Sequence, residues 1–233
     1  MMVVGMEIDV LIPAYNESGY IGRTIAALRK LPQVKRILVI DDGSTDGTAA
    51  EAAAAGAEVF RLPRNGGKGA AVLYGARFAR APYLALVDAD LGESAVELER
   101  LLPPLLEKRA EMTVARFPEN RRRGGLGLVK RLAAWSIRRS TGWQAQEPLS
   151  GQRVFRRELL ELLAFPPRGF GLELALTMDL LQRGCRILEV PTSMTHRDRG
   201  RRLTDFLHRG RQCAALLQEL WRRRERLVRG GVR

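Results

Sequence analysis

Over residues 1–116, five short runs rich in apolar and β-branched residues alternate with segments of helical periodicity, and that alternation leaves few architectures open. The runs are EIDVLIPA (7–14), KRILVID (35–41), AEVFRL (57–62), PYLALVD (82–88) and EMTVAR (111–116). Between them, IGRTIAALRKL and GAAVLYGARFA repeat apolar residues at helical spacing. Strands that alternate with helices need crossover connections, which predicts an α/β fold with a mostly parallel sheet flanked by helices. In open sheets of this kind, ligands bind beyond the carboxyl ends of the strands. The polar signals fall there: PAYNES follows the first run, DDGSTDGT the second, PRNGGKG the third and DAD the fourth.

Each signal has a chemistry and an ordinary alternative. Asn65, Gly66, Gly67, Lys68 and Gly69 make a turn whose backbone N–H groups can approach a ligand, with a cation at the tip and a helix N-terminus behind, which suits a phosphate. A plain turn and helix cap would read the same, and the spacing is not that of a Walker loop. Ser44, Thr45 and Asp46 are good caps for the segment AAEAAAAG, but capping does not require Asp41 and Asp42 as well. Asp88 and Asp90, one residue apart at a strand end, can offer hard oxygen ligands to a shared divalent cation. The alternative is that they are exposed turn residues capping a helix that begins near Ser94.

Composition narrows the partners. The chain has 233 residues, 45% of them hydrophobic, enough for one sizeable core with or without an appended arm. Its net charge of +13 sits in two blocks, residues 116–157 and 197–233. No zinc-finger spacing, RNP-type aromatic pattern or helix-turn-helix accompanies them, so no specific nucleic-acid partner is expected. A phosphate-bearing substrate or an anionic lipid surface accounts for the same charge. Cys185 and Cys213 stand far apart without metal-ligand spacing, which reads as packing in a reducing compartment. No apolar run approaches the roughly 20 residues that span a bilayer, and no signal peptide is evident, so a cytoplasmic location is expected.

The order PAYNES, DDGSTDGT, NGGKGAAVLYG, VDADL resembles the family 2 type glycosyltransferases with a Rossmann-like GT-A fold, over at least residues 7–116. That resemblance implies that Pro13, Ala14, Tyr15, Glu17 and Asp42 meet the nucleoside of a UDP- or GDP-linked sugar. Lys68 would meet the nucleotide or its phosphates, and Asp88 and Asp90 would hold Mg²⁺ or Mn²⁺ on the donor diphosphate. In the second half, EPLSGQRVFRRELL, GFGLELALTMDLLQRG and THRDRGRRL are similar to bacterial glucosyl-3-phosphoglycerate synthases, while the first half is equally similar to dolichyl- or polyprenyl-phosphate sugar synthases. By the same resemblance His196 is a third metal ligand. Glu173 lies beside the donor sugar, where with Asp90 it is the candidate catalytic residue. Both acceptor classes carry a phosphate, which fits the basic block around Arg121, Arg122, Arg123, Lys130 and Arg131. The chain departs from both groups: the segment after EMTVARF does not reproduce the phosphoglycerate acceptor loop, and there are no hydrophobic spans of the kind lipid-linked enzymes carry.

The expected organisation is a GT-A domain over residues 1–200, with a donor half to about 116 and an acceptor half over 117–200, followed by a basic amphipathic helix over 201–233. In that last segment Leu203, Phe206, Leu207, Ala214, Leu217, Leu220, Trp221 and Leu227 share one helical face. Such a face can pack on the domain, mediate a homodimer or lie peripherally on a membrane. The expected function is metal-dependent transfer of glucose or mannose from a nucleotide sugar to a phosphate-containing acceptor. Two competitors are a sugar nucleotidyltransferase, whose usual Gly-rich basic signature is replaced here by PAYNES, and a non-catalytic membrane- or nucleic-acid-binding protein.

Overall fold

Runs that are apolar on both faces form strands covered on both sides; all five sequence runs form strands here, and the third is a half-exposed edge strand. The computed structural model describes residues 5–118, 127–162 and 171–196. The strands β1 (Ile8–Ala14), β2 (Val34–Asp41), β3 (Glu58–Arg61), β4 (Tyr83–Leu86), β5 (Met112–Arg116), β6 (Arg153–Arg156) and β7 (Ile187–Pro191) form one sheet in the order β3-β2-β1-β4-β6-β5-β7. All neighbouring pairs are parallel except those of β6, which runs antiparallel to both β4 and β5. The mostly parallel α/β sheet predicted from the sequence is therefore present. The last two strands were not among the five runs.

The pleat divides the core. Val10, Ile12, Val39, Ala85 and Val87 face one side with Ile21, Ile25 and Leu28 of α1 (Ile21–Leu28) and with Leu98 and Leu101. Leu11, Leu38, Ile40, Leu84 and Leu86 face the other. They meet Ala71 and Val72 of α3 (Lys68–Ala76) and Leu172, Leu176 and Leu180 of α6 (Leu172–Gln182). Each fully buried Leu, Ile or Val contributes roughly 1.5–3 kcal/mol. Two shorter helices, α2 (Thr48–Ala54) and α4 (Pro103–Leu106), and the long α5 (Gly127–Thr141) complete the helical layers.

The helix expected near Ser94 is a 3₁₀ segment, Gly92–Leu101, rather than an α-helix. Its entry is fixed by neighbours instead of by an aspartate cap: the Gly92 N–H donates to Thr24 Oγ1 at 2.8 Å, and the Ser94 hydroxyl donates to the Leu91 carbonyl at 2.7 Å. α3 lies directly on the sheet at Gly75, where a Cβ would collide with Leu11 and Ile40. That close approach sets the depth of Lys68, the first residue of the same helix.

Candidate active site at the carboxyl edge of the sheet

β4 ends at Leu86, and the chain continues with alternating direction. Val87 and Ala89 are buried in the core, which turns Asp88 and Asp90 to the rim. The Ala89 carbonyl accepts the Thr24 hydroxyl at 2.8 Å, pinning this segment to α1. From α3, Lys68 Nζ reaches Asp88 Oδ1 at 2.6 Å and Glu173 Oε1 at 2.7 Å. Glu173 is the second residue of α6 and is almost wholly buried. Burial is the largest single influence on both Lys68 and Asp88 and disfavours their charges. The surrounding charges and hydrogen bonds outweigh it, holding the Lys68 pKa above and the Asp88 pKa well below its ordinary value. Asp88 is therefore a carboxylate and Lys68 an ammonium at neutral pH.

The cluster continues through Gln152. Its Nε2 donates to Asp88 Oδ2 at 2.8 Å, and its Oε1 accepts the Asp88 N–H at 3.2 Å. Gln152 Nε2 lies 3.4 Å from His196 Nε2, and His196 Nδ1 lies 3.0 Å from Asp90 Oδ1. Phe117, just past β5, stacks on the imidazole with ring centroids 4.7 Å apart. Burial pushes the His196 pKa down, but the hydrogen bond with Asp90 and the charges of Asp88 and Asp90 leave it raised. Glu173, Lys68, Asp88, Gln152, His196 and Asp90 thus form one connected line drawn from β4, α3, α6, the start of β6 and the segment after β7.

Among the described residues no three His, Cys, Asp or Glu side chains are already gathered as a metal site. Asp88 is engaged by Lys68 and Gln152, and Asp90 by His196. The donor set nevertheless suits a hard or borderline divalent ion, since one imidazole and one carboxylate, His196 and Asp90, are hydrogen-bonded and the second carboxylate, Asp88, is joined to them through Gln152. The residues present fit Mg²⁺ or Mn²⁺ chemically.

The Gly-rich turn differs from the expectation of a free phosphate cradle. Asp42 Oδ1 accepts the Gly66 N–H and Oδ2 accepts the Gly67 N–H, both at 2.8 Å. Two of the turn's amides are therefore spent on a carboxylate that ties the end of β2 to the start of α3. Asp41, also buried, accepts the Ser44 N–H at 2.8 Å and lies 3.1 Å from Arg61 Nε. Asp46 accepts the Thr48 N–H at 3.0 Å and the Thr48 hydroxyl at the start of α2, whose cap position itself is Gly47. Ser44 instead accepts the Asn16 N–H at 3.0 Å, and Asn16 Oδ1 accepts the Thr45 N–H at 2.9 Å, joining PAYNES to DDGSTDGT.

Of the nucleoside candidates, Tyr15 is exposed and Pro13 half-buried. Ala14 is buried, and its carbonyl accepts the Asp42 N–H at 2.8 Å. Glu17 is buried with its N–H on Thr48 Oγ1 at 2.8 Å, and its carbonyl receives the first amide of α1. Beside this loop pair, a depression of about 480 Å³ is bounded by Gly43, Ser44, Thr45, Arg61, Leu62 and Pro63.

The basic block is less available than its charge implies. Arg153 is wholly buried, with Nε on the Ser150 carbonyl at 2.8 Å, one terminal nitrogen on Thr177 Oγ1 at 2.7 Å and the other on the Pro148 carbonyl at 3.2 Å. Burial pushes its pKa down to about 10, so it stays charged while stapling residues 148–150 to α6. Lys130 pairs with Glu147 at 2.7 Å and Arg116 donates to Gln146 Oε1 at 2.6 Å, while Arg131 is exposed. Arg121, Arg122, Arg123, Cys213 and the whole 201–233 segment lie outside the described residues. Cys185 is a free, half-buried thiol whose pKa burial pushes up.

Sequence reasoning named Lys68, Asp88, Asp90, Glu173 and His196, and the fold brings all five together. It did not single out Gly151, Gln152 or Phe117. The stretch SGQRVF was on view, but without β6 identified nothing tied it to Asp88. Gly151 is packed so tightly there that a Cβ would lie 2.5 Å from Lys68 Nζ and 2.6 Å from Asp88 Oδ2.

A strand-end carboxylate pair, a buried lysine and an imidazole thus meet at the edge of one mostly parallel sheet. The family model described as Glycosyl transferase family 2 matches residues 9–163. The chain belongs to this family. Glycosyltransferase AglJ of Haloferax volcanii is 33% identical over 82% of this chain, and the match spans 64% of that protein. Polyprenol monophosphomannose synthase of Mycolicibacterium smegmatis is 34% identical over 82% of this chain and 78% of its own. The crystal structure of glucosyl-3-phosphoglycerate synthase from Mycobacterium tuberculosis in complex with phosphoglyceric acid superposes with a TM-score of 0.78 at 28% identity, covering 93% of this chain and 80% of that one. Another crystal structure of that enzyme is a complex with Mn²⁺, UDP-glucose and phosphoglyceric acid. The fold is therefore of the GT-A type, and the nucleotidyltransferase and non-catalytic readings give way to a glycosyltransferase.

Proposed function

We propose that this glycosyltransferase moves a hexose, glucose or mannose, from a UDP- or GDP-linked donor to a phosphate-containing acceptor with Mg²⁺ or Mn²⁺ as cofactor. The observation that carries this reading is the line of Glu173, Lys68, Asp88, Gln152, His196 and Asp90 at the carboxyl edge of the sheet. Residues 1–116 act as the donor half and 117–200 as the acceptor half. Pro13, Tyr15 and the buried Glu17 and Asp42 shape the nucleoside end. Asp88, Asp90 and His196 hold the metal, which supplies neutralisation of the departing nucleoside diphosphate when bound. Lys68 adds a fixed ammonium beside the same charge. Glu173, held by Lys68 at 2.7 Å, accepts hydrogen bonds from the hydroxyls of the donor sugar and orients its ring.

Two acceptors fit, because the relatives include a phosphoglycerate enzyme and a polyprenol phosphate enzyme. A phosphate acceptor attacks through an oxygen already ionised, whereas a phosphoglycerate hydroxyl has to lose a proton during transfer. We place the reaction in a reducing cytoplasm, in keeping with the two unpaired-reading cysteines. The amphipathic 201–233 segment is the part that would meet a membrane surface or a second copy.

The test is transfer from UDP-glucose and GDP-mannose to 3-phosphoglycerate and to polyprenyl phosphate, with Mn²⁺ or with chelator, in wild type and Asp90→Ala. We expect one donor and acceptor pair to turn over, chelator to stop it, and Asp90→Ala to lower it at least about 100-fold with the fold intact. Turnover that survives both chelator and Asp90→Ala removes the metal-dependent reading.

A further inference from the structure

Gln152 immediately precedes β6, is wholly buried, and is not itself an ionisable or metal-liganding side chain. A buried amide has to satisfy its donors and acceptor within the protein, so its partners define its orientation. Asp88 Oδ2 is a carboxylate oxygen that only accepts, and the Asp88 N–H only donates. The arrangement with Nε2 on Oδ2 at 2.8 Å and Oε1 on the N–H at 3.2 Å satisfies both. Turning the amide over would set oxygen against oxygen and N–H against N–H. Gln152 therefore grips Asp88 at two points, one on its backbone and one on its carboxylate.

Gln152 Nε2, whose second hydrogen is not used by Asp88, lies 3.4 Å from His196 Nε2. On the far side of the ring, Nδ1 is 3.0 Å from Asp90 Oδ1. For a neutral imidazole these two contacts select one tautomer, with the hydrogen on Nδ1 donated to Asp90 and the Nε2 lone pair facing Gln152. The other tautomer would oppose two donors at Nε2 and two acceptors at Nδ1. Phe117, stacked at an interplanar angle of 20°, holds the ring plane while these contacts set its rotation.

We infer that Gln152 is a positioning residue that orients the Asp88 carboxylate and fixes His196 as the Nδ1–H tautomer, so that Asp88 Oδ2 and the His196 Nε2 lone pair converge on one amide nitrogen. This rests on the metal-dependent reading above and deepens it, since it names what holds two of the three candidate ligands ready. Neighbours of this kind that hold metal ligands in place change metal affinity about 10- to 100-fold when removed. A side chain of similar volume without hydrogen bonds, as in Gln152→Met, removes the hold on Asp88 Oδ2 and on His196 Nε2 and leaves Asp88 to Lys68 and His196 to Asp90 and Phe117.

The first measurement needs no variant. Long-range ¹H–¹⁵N spectra of wild type at mildly alkaline pH should give His196 an unprotonated Nε2 and a protonated Nδ1. Assignment is straightforward because the chain has 2 histidines and a His208→Asn variant removes the other. An Nε2–H tautomer overturns the inference. The second is Mn²⁺ affinity in the presence of UDP, with UDP affinity measured separately without metal. For Gln152→Met we expect Mn²⁺ to bind at least about 10-fold more weakly, the tautomer preference to blur, and metal-free UDP binding to stay within about twofold. If Asp90→Ala loses Mn²⁺ while Gln152→Met keeps it, the positioning role is wrong and the metal reading stands. If wild type with UDP binds no Mn²⁺, both are wrong.

Discussion

Replacing Gly151 by alanine puts a methyl group 2.5 Å from Lys68 Nζ, 2.6 Å from Asp88 Oδ2 and 2.9 Å from Asp88 Oδ1. Ordinary contacts between such atoms are near 3.5 Å, so the ammonium, the carboxylate or the 150–152 backbone has to retreat by about 1 Å. A free lysine would swing away at little cost. This one is held at 2.6 Å by Asp88 and 2.7 Å by Glu173, and Asp88 is held in turn by Gln152. Gly151 does not occupy the left-handed region, so alanine adds no backbone strain. The steric cost is that of a small overpacking, about 1–3 kcal/mol, partly offset by the lower entropy of the unfolded alanine chain. At 2–4 °C per kcal/mol for a chain of this size, the melting temperature should fall by a few degrees. The effect on transfer should be far larger, roughly 100-fold in kcat, because misplacing charged groups by about 1 Å costs about that much. Thermal unfolding and initial rates with the productive donor and acceptor measure the two effects together. A Gly151→Ala enzyme with wild-type melting and wild-type turnover would refute the claim that Lys68 and Asp88 are locked in place.

Two other perturbations address the scaffold. Gly75→Ala drives a methyl into Leu11 and Ile40, with Ile40 Cγ1 2.6 Å away, and should cost about 1–3 kcal/mol by lifting α3 off the sheet; urea unfolding with an unchanged midpoint would contradict that packing. Glu58 on β3 takes two hydrogen bonds from Arg36 on β2, at 2.7 and 2.6 Å, and these, with the guanidinium charge, hold its pKa below the usual carboxylate range. Because its folded pKa is the lower one, the contribution is full above the unfolded value of about 4.3 and disappears as pH falls through the folded value. The pair is half-exposed, so Glu58→Gln should remove less than about 1 kcal/mol at neutral pH and flatten the acid limb of stability against pH; an unchanged acid limb would count against it.

The candidate site was legible in parts because different parts depend on different ranges of sequence. Asp88 and Asp90 are local: a buried strand ending in alternating residues turns both carboxylates to the rim, whatever surrounds it. The fate of the Gly66 and Gly67 amides was not local. Whether they face a phosphate or a carboxylate depends on Asp42, which arrives from another strand. Likewise, Arg153 contributes to the basic block in any count of charge, yet it is an internal staple. Only the packing of β6 against α6 separates it from an exposed arginine such as Arg131.

Through the family resemblance the sequence named Glu173 and His196; by itself it determined the α/β alternation, the parallel crossovers and the rim on which the polar segments, with Lys68, Asp88 and Asp90, sit. These follow from period, propensity and strand ends, which act within a few residues of each other. Tertiary structure alone decided that β6 runs antiparallel between β4 and β5, and so brings Gly151 and Gln152 against Lys68 and Asp88. A four-residue strand carries too little pattern of its own to specify a partner. Its place is set by which sheet edge remains open and by the burial gained there, and that is a property of the whole fold.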